Sequence, residues 1–412
     1  MLRQPDKNKA NVCREGEKRM TTLELPEPVA KPDKPSYTAR ELGRAIHEWG
    51  RRHGALTMRD AAPTPEQMTL EQIFDTDADA AKRISQALHR LKITAVTADD
   101  ENKSISILCK NAISSQLSKK LPTRIHGMDV YYTGKVTVAE NPPALPFSAQ
   151  SGSPIWFSHS EKIACGSSVT TSQVFDAGTF GFLAKLSDGR LVGFSNNHVT
   201  GECNHTPPGM HILSPSPLDA SPSSPPPVAI GTHFALLPLN SGDPNQISLQ
   251  ETDAAIFLIT RPDLVTSMQG NGFYDTPAGE GPLSANLRVK KVGRTTGLRT
   301  GTVLGEMVVP FYIPYKSNKF QSIVYFSGVW AVQGDGGNTF SEPGDSGSLV
   351  VTLDGKQAVG VVFAGGNNVS YVLPIGKILA LFNMTLVAGH NAELAHEPTA
   401  VSQDAPAEAQ SS

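Results

Sequence analysis

Three short strings in this 412-residue chain carry side chains that could act on one another: SNNHVTG around His198, TDAAI around Asp253 and PGDSGS around Ser346. A serine hydroxyl becomes a useful nucleophile only when a neighbouring base takes its proton. An imidazole does this near neutral pH, provided a carboxylate holds it in one tautomer. The sequence supplies one candidate for each role. Gly344 and Gly347 flank the serine, so the backbone there can turn sharply. The N–H groups of Gly344 and Ser346 could then point at one spot and form an oxyanion hole. Asp243 and Glu251 compete with Asp253 for the carboxylate role. Asp253 is favoured because it directly precedes the apolar run AAIFLI, where a buried acid can be held rigidly.

Each string has a plainer reading. GDSG is ordinary turn composition, and most histidines are packed or solvated rather than catalytic. The three strings together favour nucleophilic catalysis. Cys203, His205 and His211 invite a zinc reading, but Pro207 and Pro208 intervene and no fourth ligand stands at a diagnostic spacing. The run RVKKVGRTTGLR brings together Arg288, Lys290, Lys291, Arg294 and Arg299. Its interleaved apolar positions predict the solvated face of a hairpin rather than a nucleic-acid patch. QGDGGN (333–338) lacks the lysine of a phosphate loop and reads as a plain loop. The expected chemistry therefore needs no metal and no organic cofactor.

The elements that must position these residues are mainly strands. Beyond about Ile163, runs such as GTFGFLAKL, RLVGFSN, DAAIFLI, QSIVYFSGVW and AVGVVFA are separated by Gly, Asp, Asn or Pro turns. Few helical stretches interrupt them, which predicts barrels or a sandwich rather than βαβ units. The Pro/Ser-dense segment 205–229 reads as a long exposed loop. Upstream, Leu42, Ala45, Ile46 and Trp49 recur at helical spacing, as do Ala81, Ile84, Ala87, Leu88 and Leu91, and SISILC and DVYYTGKVTV read as strands. The expected organisation is a flexible arm (1–35), a helical and small α+β region (36–140), a linker (141–162), a β domain (163–388) and a disordered tail (389–412).

The β region resembles the chymotrypsin-like (trypsin-like) serine peptidases, in the bacterial branch without zymogen-type disulfides. The order His198, Asp253, Ser346 is that family's, and KVGRTTGLRTGTV resembles the hairpin opening its second barrel. The resemblance implies two six-stranded antiparallel barrels, with His198 and Asp253 on the first, Ser346 on the second and the site between them. It also implies that Phe340 forms the base of the substrate pocket and that Phe363, Ala364 and Gly365 form a wall. With no carboxylate at position 340, an apolar or small residue before the scissile bond is expected. No IVGG-like start accompanies Asp345, which leaves open what pairs with it.

Lys plus Arg number 36 against 39 Asp plus Glu, so the net charge of −3 provides no overall field for gripping nucleic acid or an anionic membrane. The four cysteines Cys13, Cys109, Cys165 and Cys203 are too few and too irregularly spaced for a disulfide scaffold, and Cys165 and Cys203 are expected as free thiols. The polar N-terminus has no apolar signal-like core, and no run is long enough to span a bilayer, which predicts a cytoplasmic protein. The sequence points to a serine endopeptidase of restricted or regulated action on a protein or peptide. The rival is a catalytically weak binding or regulatory protein, or one that cleaves only itself, with residues 36–140 as a surface for a protein partner.

Overall fold

The computed structural model describes residues 36–57, 68–136, 157–220, 225–241, 248–317, 319–366 and 368–392. The expected arm, residues 137–140 of the expected helical and α+β region, residues 141–156 of the expected linker and residues 393–412 of the expected tail lie outside them.

A capping box fixes the start of helix α1 (Ala39–Arg52): Thr38 Oγ1 accepts from the Glu41 N–H, and the Glu41 carboxylate accepts from the Thr38 N–H. Leu42, Ile46 and Trp49 form its buried stripe. A short helix α2 (Leu70–Phe74) follows, then α3 (Ala78–Leu91), capped by Asp77 and burying all five apolar positions expected from its periodicity. These helices share one core with β1 (Ile93–Asp99) and β2 (Ser104–Cys109), which pair antiparallel. Thr97 and Ala98 of β1 pair in turn with Met307 and Glu306, so the N-terminal region and the β-rich region share one hydrogen-bonded sheet.

The protein is mainly β. Strands Arg288–Gly293, Gly297–Met307, Trp330–Gly334, Val369–Pro374, Gln357–Gly366 and Leu349–Thr352 pair antiparallel in that order, and the last pairs back onto the first. This ring of six is a closed barrel filled by Val289, Val303, Val332, Phe340, Val350 and Val372. The preceding half is a curled sheet rather than a closed ring. Its strands run in the order Met384–Leu386, Phe182–Leu186, Leu191–Ser195, Ala255–Ile259, Val228–Leu236, His211–Ser214, Ser168–Thr171 and Gly178–Thr179. Phe182 and Phe194 stack on one of its faces, with ring centroids 4.5 Å apart, and join Leu349, Val351 and Val361 of the closed barrel in one core. That shared core fixes the two halves against each other.

Two expectations need correction. The segment 205–229 is not one exposed loop: His211–Ser214 is a strand of the curled sheet, and Asp219 is buried in an ion pair with Arg294. Nor is the basic run 288–299 a solvated face throughout. Arg288 is exposed, but Lys291 and Arg294 are buried, each paired with an aspartate. Alternation shows which positions of a strand point inward, but not that a partner acid waits there. Among the described residues no helix is long and apolar enough to cross a membrane.

Candidate active site

His198 sits in a one-turn helix, Asn197–Thr200, directly after strand Leu191–Ser195. The residues before it are locked by hydrogen bonds: Ser195 Oγ donates to the Thr179 carbonyl (2.8 Å), Asn196 Nδ2 to the Asp253 carbonyl (2.6 Å) and Asn197 Nδ2 to the Leu237 carbonyl (2.8 Å). His198 Nδ1 lies 2.5 Å from Asp253 Oδ2, and the His198 backbone N–H donates to Asp253 Oδ1 at 3.1 Å. The imidazole is 3% exposed and the carboxylate 0%. Engaged by ring and backbone of one residue, the carboxylate can hold the ring with Nδ1 protonated and Nε2 free to act as a base. The competing Glu251 is exposed and paired with Lys377, and Asp243 lies outside the described residues.

Ser346 lies in a turn whose shape only glycine permits. Gly344 has φ +100° and Gly347 φ +98°. A Cβ at 344 would lie 2.3 Å from Thr295 Oγ1, and one at 347 would lie 2.4 Å from the Thr179 carbonyl oxygen. Within the turn, the N–H groups of Asp345, Gly347 and Ser348 donate to the carbonyls of Glu342, Val362 and Asp345. Those of Gly344 and Ser346 have no acceptor among the described residues, which leaves two amides available for an anion. Thr179 ties the turn to the curled half: its N–H donates to the Ser346 carbonyl and its Oγ1 to the Gly344 carbonyl, both at 2.8 Å.

Beneath the turn, Asp345 accepts from Lys291 Nζ at 2.8 Å, and both side chains are 0% exposed. Its carboxylate also takes the N–H groups of Thr295, Thr296 and Glu342 and the Thr296 hydroxyl. Burial alone would raise the Asp345 carboxyl. The Lys291 ammonium and these hydrogen bonds outweigh it and hold the group below the ordinary carboxylate range. The partner left open by the sequence is therefore Lys291, from within the chain.

His198 and Ser346 line one cleft of about 800 Å³, part of it open to solvent. Ser346 Oγ makes no hydrogen bond among the described residues, to the imidazole or elsewhere. Phe363, Ala364 and Gly365 line the cleft. Phe340 does not. It is fully buried inside the closed barrel among Val303, Val332 and Val350, where a phenyl ring gains most by leaving water, and Ser341 faces the cleft in its place. The specificity argument built on Phe340 therefore loses its premise.

The cleft also holds residues that the sequence did not place in it. Asp176 lines it beside His198. Burial pushes its carboxyl up to about 6, against a hydrogen bond from the Ala177 N–H and the attraction of nearby cations. Cys203 lines it too, but burial first and the Asp253 charge second push that thiol well up, so it is no rival nucleophile. Cys109, Cys165 and Cys203 are all unbonded. Strand Phe311–Lys316 also lines the cleft, contributing Ile313, Pro314 and Tyr315. The hydroxyl of Tyr315 donates to Asp253 Oδ2 at 2.7 Å. Pro314 hid this strand: a proline inside an apolar run argues against a strand unless it lies at a sheet edge, which is where this one lies.

No protein-family model matches the sequence, and no curated protein matches it. Solved structures are similar to it at low identity. Thermobifida fusca Protease A is 22% identical, with 55% of this chain and 100% of that one covered and a TM-score of 0.37. A Nocardiopsis protease is 18% identical, covering 54% and 97%, with a TM-score of 0.37. Cellulomonas bogoriensis chymotrypsin is 19% identical, covering 54% and 97%, with a TM-score of 0.36.

Proposed function

We propose that this chain is a serine endopeptidase that cleaves proteins or peptides through an acyl-enzyme. Ser346 Oγ attacks the scissile carbonyl carbon as its proton passes to His198 Nε2. Asp253 stabilises the resulting imidazolium, and the carbonyl oxygen, now an oxyanion, accepts the N–H groups of Gly344 and Ser346. His198 then gives its proton to the leaving amine, and water hydrolyses the ester with His198 again as the base. The observation that carries this reading is the meeting, in one cleft, of a buried carboxylate–imidazole pair and a serine turn with two acceptor-free amides. The cleft is lined by both Ile313–Ser317 and Val362–Gly365, and a site flanked by two such segments favours a restricted set of substrates over general digestion.

The test is labelling with a fluorophosphonate probe together with a peptide-cleavage assay. Wild type is expected to label and to cleave, and Ser346→Ala to do neither, with a loss of at least about 10³-fold in kcat/KM. Equal labelling and cleavage by the two proteins would overturn the reading.

A further inference from the structure

The hairpin formed by strands Phe311–Lys316 and Gln321–Phe326 has no counterpart in the chemistry above, yet it is docked onto both segments that carry the acid–imidazole pair. On the aspartate side, Leu249 and Gln250 pair with Tyr325 and Phe326, and the Ser327 N–H donates to the Gln250 carbonyl at 2.9 Å. On the histidine side, Lys319 Nζ reaches Glu202 at 3.2 Å, and Phe320 packs against His205 with ring centroids 6.2 Å apart. Between these anchors the Tyr315 ring lies 5.4 Å from the imidazole, tilted by 38°, with its hydroxyl on Asp253.

We propose that Tyr315 is a positioning residue for the acid–imidazole pair: its phenol fixes the rotation of the Asp253 carboxylate and moderates that carboxylate's pull on the His198 proton. This rests on the reading of the cleft as a peptidase site. Asp253 Oδ2 is shared by two donors, the imidazole N–H and the phenol, while among the described residues Oδ1 takes only the His198 backbone N–H. A carboxylate with one donor on an oxygen can rotate about its Cβ–Cγ bond towards a better partner. With both donors in place on a fully buried group, that rotation breaks a charge-assisted hydrogen bond. The second donor also drains charge from the oxygen facing the imidazole, so the imidazolium is held less tightly and returns its proton more readily to the leaving amine. The phenol can serve only as a donor here. Burial first, and the adjacent Asp253 charge second, push its ionisation far above the ordinary range.

The experiment compares wild type, Tyr315→Phe and a protein carrying 3-fluorotyrosine at position 315. The first variant removes the hydroxyl and keeps the ring. The second keeps the fold and makes the phenol a stronger donor. Two readouts are taken: the pH profile of kcat and kcat/KM on a peptide substrate, and the NMR titration of the His198 imidazole. Removing the hydroxyl is expected to move the NMR titration of the imidazole to higher pH and the fluorinated ring to move it to lower pH, since a hydrogen bond to the carboxylate spreads the charge that holds the imidazolium. Tyr315→Phe is expected to lose about tenfold in kcat with KM within about twofold, the pattern of an interaction that matters only beyond the ground state. A His198 titration unmoved in both variants, or a Tyr315→Phe loss confined to KM, would overturn the proposal. If wild type cleaves no peptide, the peptidase reading fails, and the imidazole titration alone still decides the role of Tyr315.

Discussion

The serine turn and the acid–imidazole pair are both buried, but they are held in different ways. The turn is shaped by two glycines at positive φ, by amide-to-carbonyl bonds within residues 342–348 and to Val362 of the same barrel, and by one buried ion pair from Lys291, at that barrel's opening. The acid–imidazole pair is assembled from residues 55 positions apart in the curled half and completed by a tyrosine 62 positions beyond the aspartate. Barrel closure explains part of the contrast. A closed ring has no edge along which to slip, so a turn between two of its strands inherits a fixed frame. A curled sheet needs side-chain tethers to hold its loops, and Asn196, Asn197 and Tyr315 supply them.

If the turn depends on its internal ion pair, Lys291→Met should do the most damage. It leaves the Asp345 carboxylate buried without its cation, and an orphaned buried charge costs about 3–5 kcal/mol. Denaturant titration at neutral pH measures the loss. Because the Asp345 carboxyl is held below its ordinary range, the stability it contributes is present above the unfolded carboxylate pKa and lost as pH falls through the folded one. The difference between wild type and Lys291→Met should therefore shrink in acid. A variant of wild-type stability would mean that the local hydrogen bonds suffice without the lysine.

Gly347→Ala probes the backbone of the same turn. The added methyl meets the Thr179 carbonyl in a left-handed conformation, at a cost of about 1–3 kcal/mol. Since Thr179 also holds the turn against the curled half, activity is expected to fall further than stability, which thermal melts and kcat/KM read side by side. Equal losses in the two would show that the turn and the pair are not separately held.

The smallest effect, and one of opposite sign, is expected from Asp176→Asn on the curled side of the cleft. Burial raises that carboxyl to about 6 in the folded state against about 4 unfolded. The folded protein thus binds the proton more readily, and ionisation costs stability as pH rises from about 4 to 6. Removing the charge should stabilise the protein by about 1–2 kcal/mol at pH 8, allowing for screening at a half-buried site, and by nothing below pH 4. Melting curves at the two pH values check this. A gain that persists in acid would point to packing rather than charge.

How far the sequence could be read follows from how local each cause is. The α3 stripe was legible because five apolar residues at helical spacing bury one face whatever they meet. His198, Asp253 and Ser346 could be picked out as candidates because each lies next to a strand, beside residues that suit one backbone shape. Tyr315 was not, since Pro314 broke the strand pattern and nothing near it in sequence signals an aspartate partner. Arg294 and Lys291 were read as solvated because strand alternation cannot announce Asp219 or Asp345 across the fold. Phe340 was assigned to the pocket by its offset from Ser346, while the closed barrel offered it a fully apolar interior.

The sequence by itself therefore determined which side chains could do the chemistry, where the backbone must turn without a Cβ, and that strands would dominate, because these depend on residue type and short-range sterics. Only the tertiary structure decided which charges are paired, which ring lines the cleft and which donor completes the aspartate. Those outcomes depend on desolvation by distant segments, and burial of that kind is created by packing rather than by any residue's neighbours in the chain.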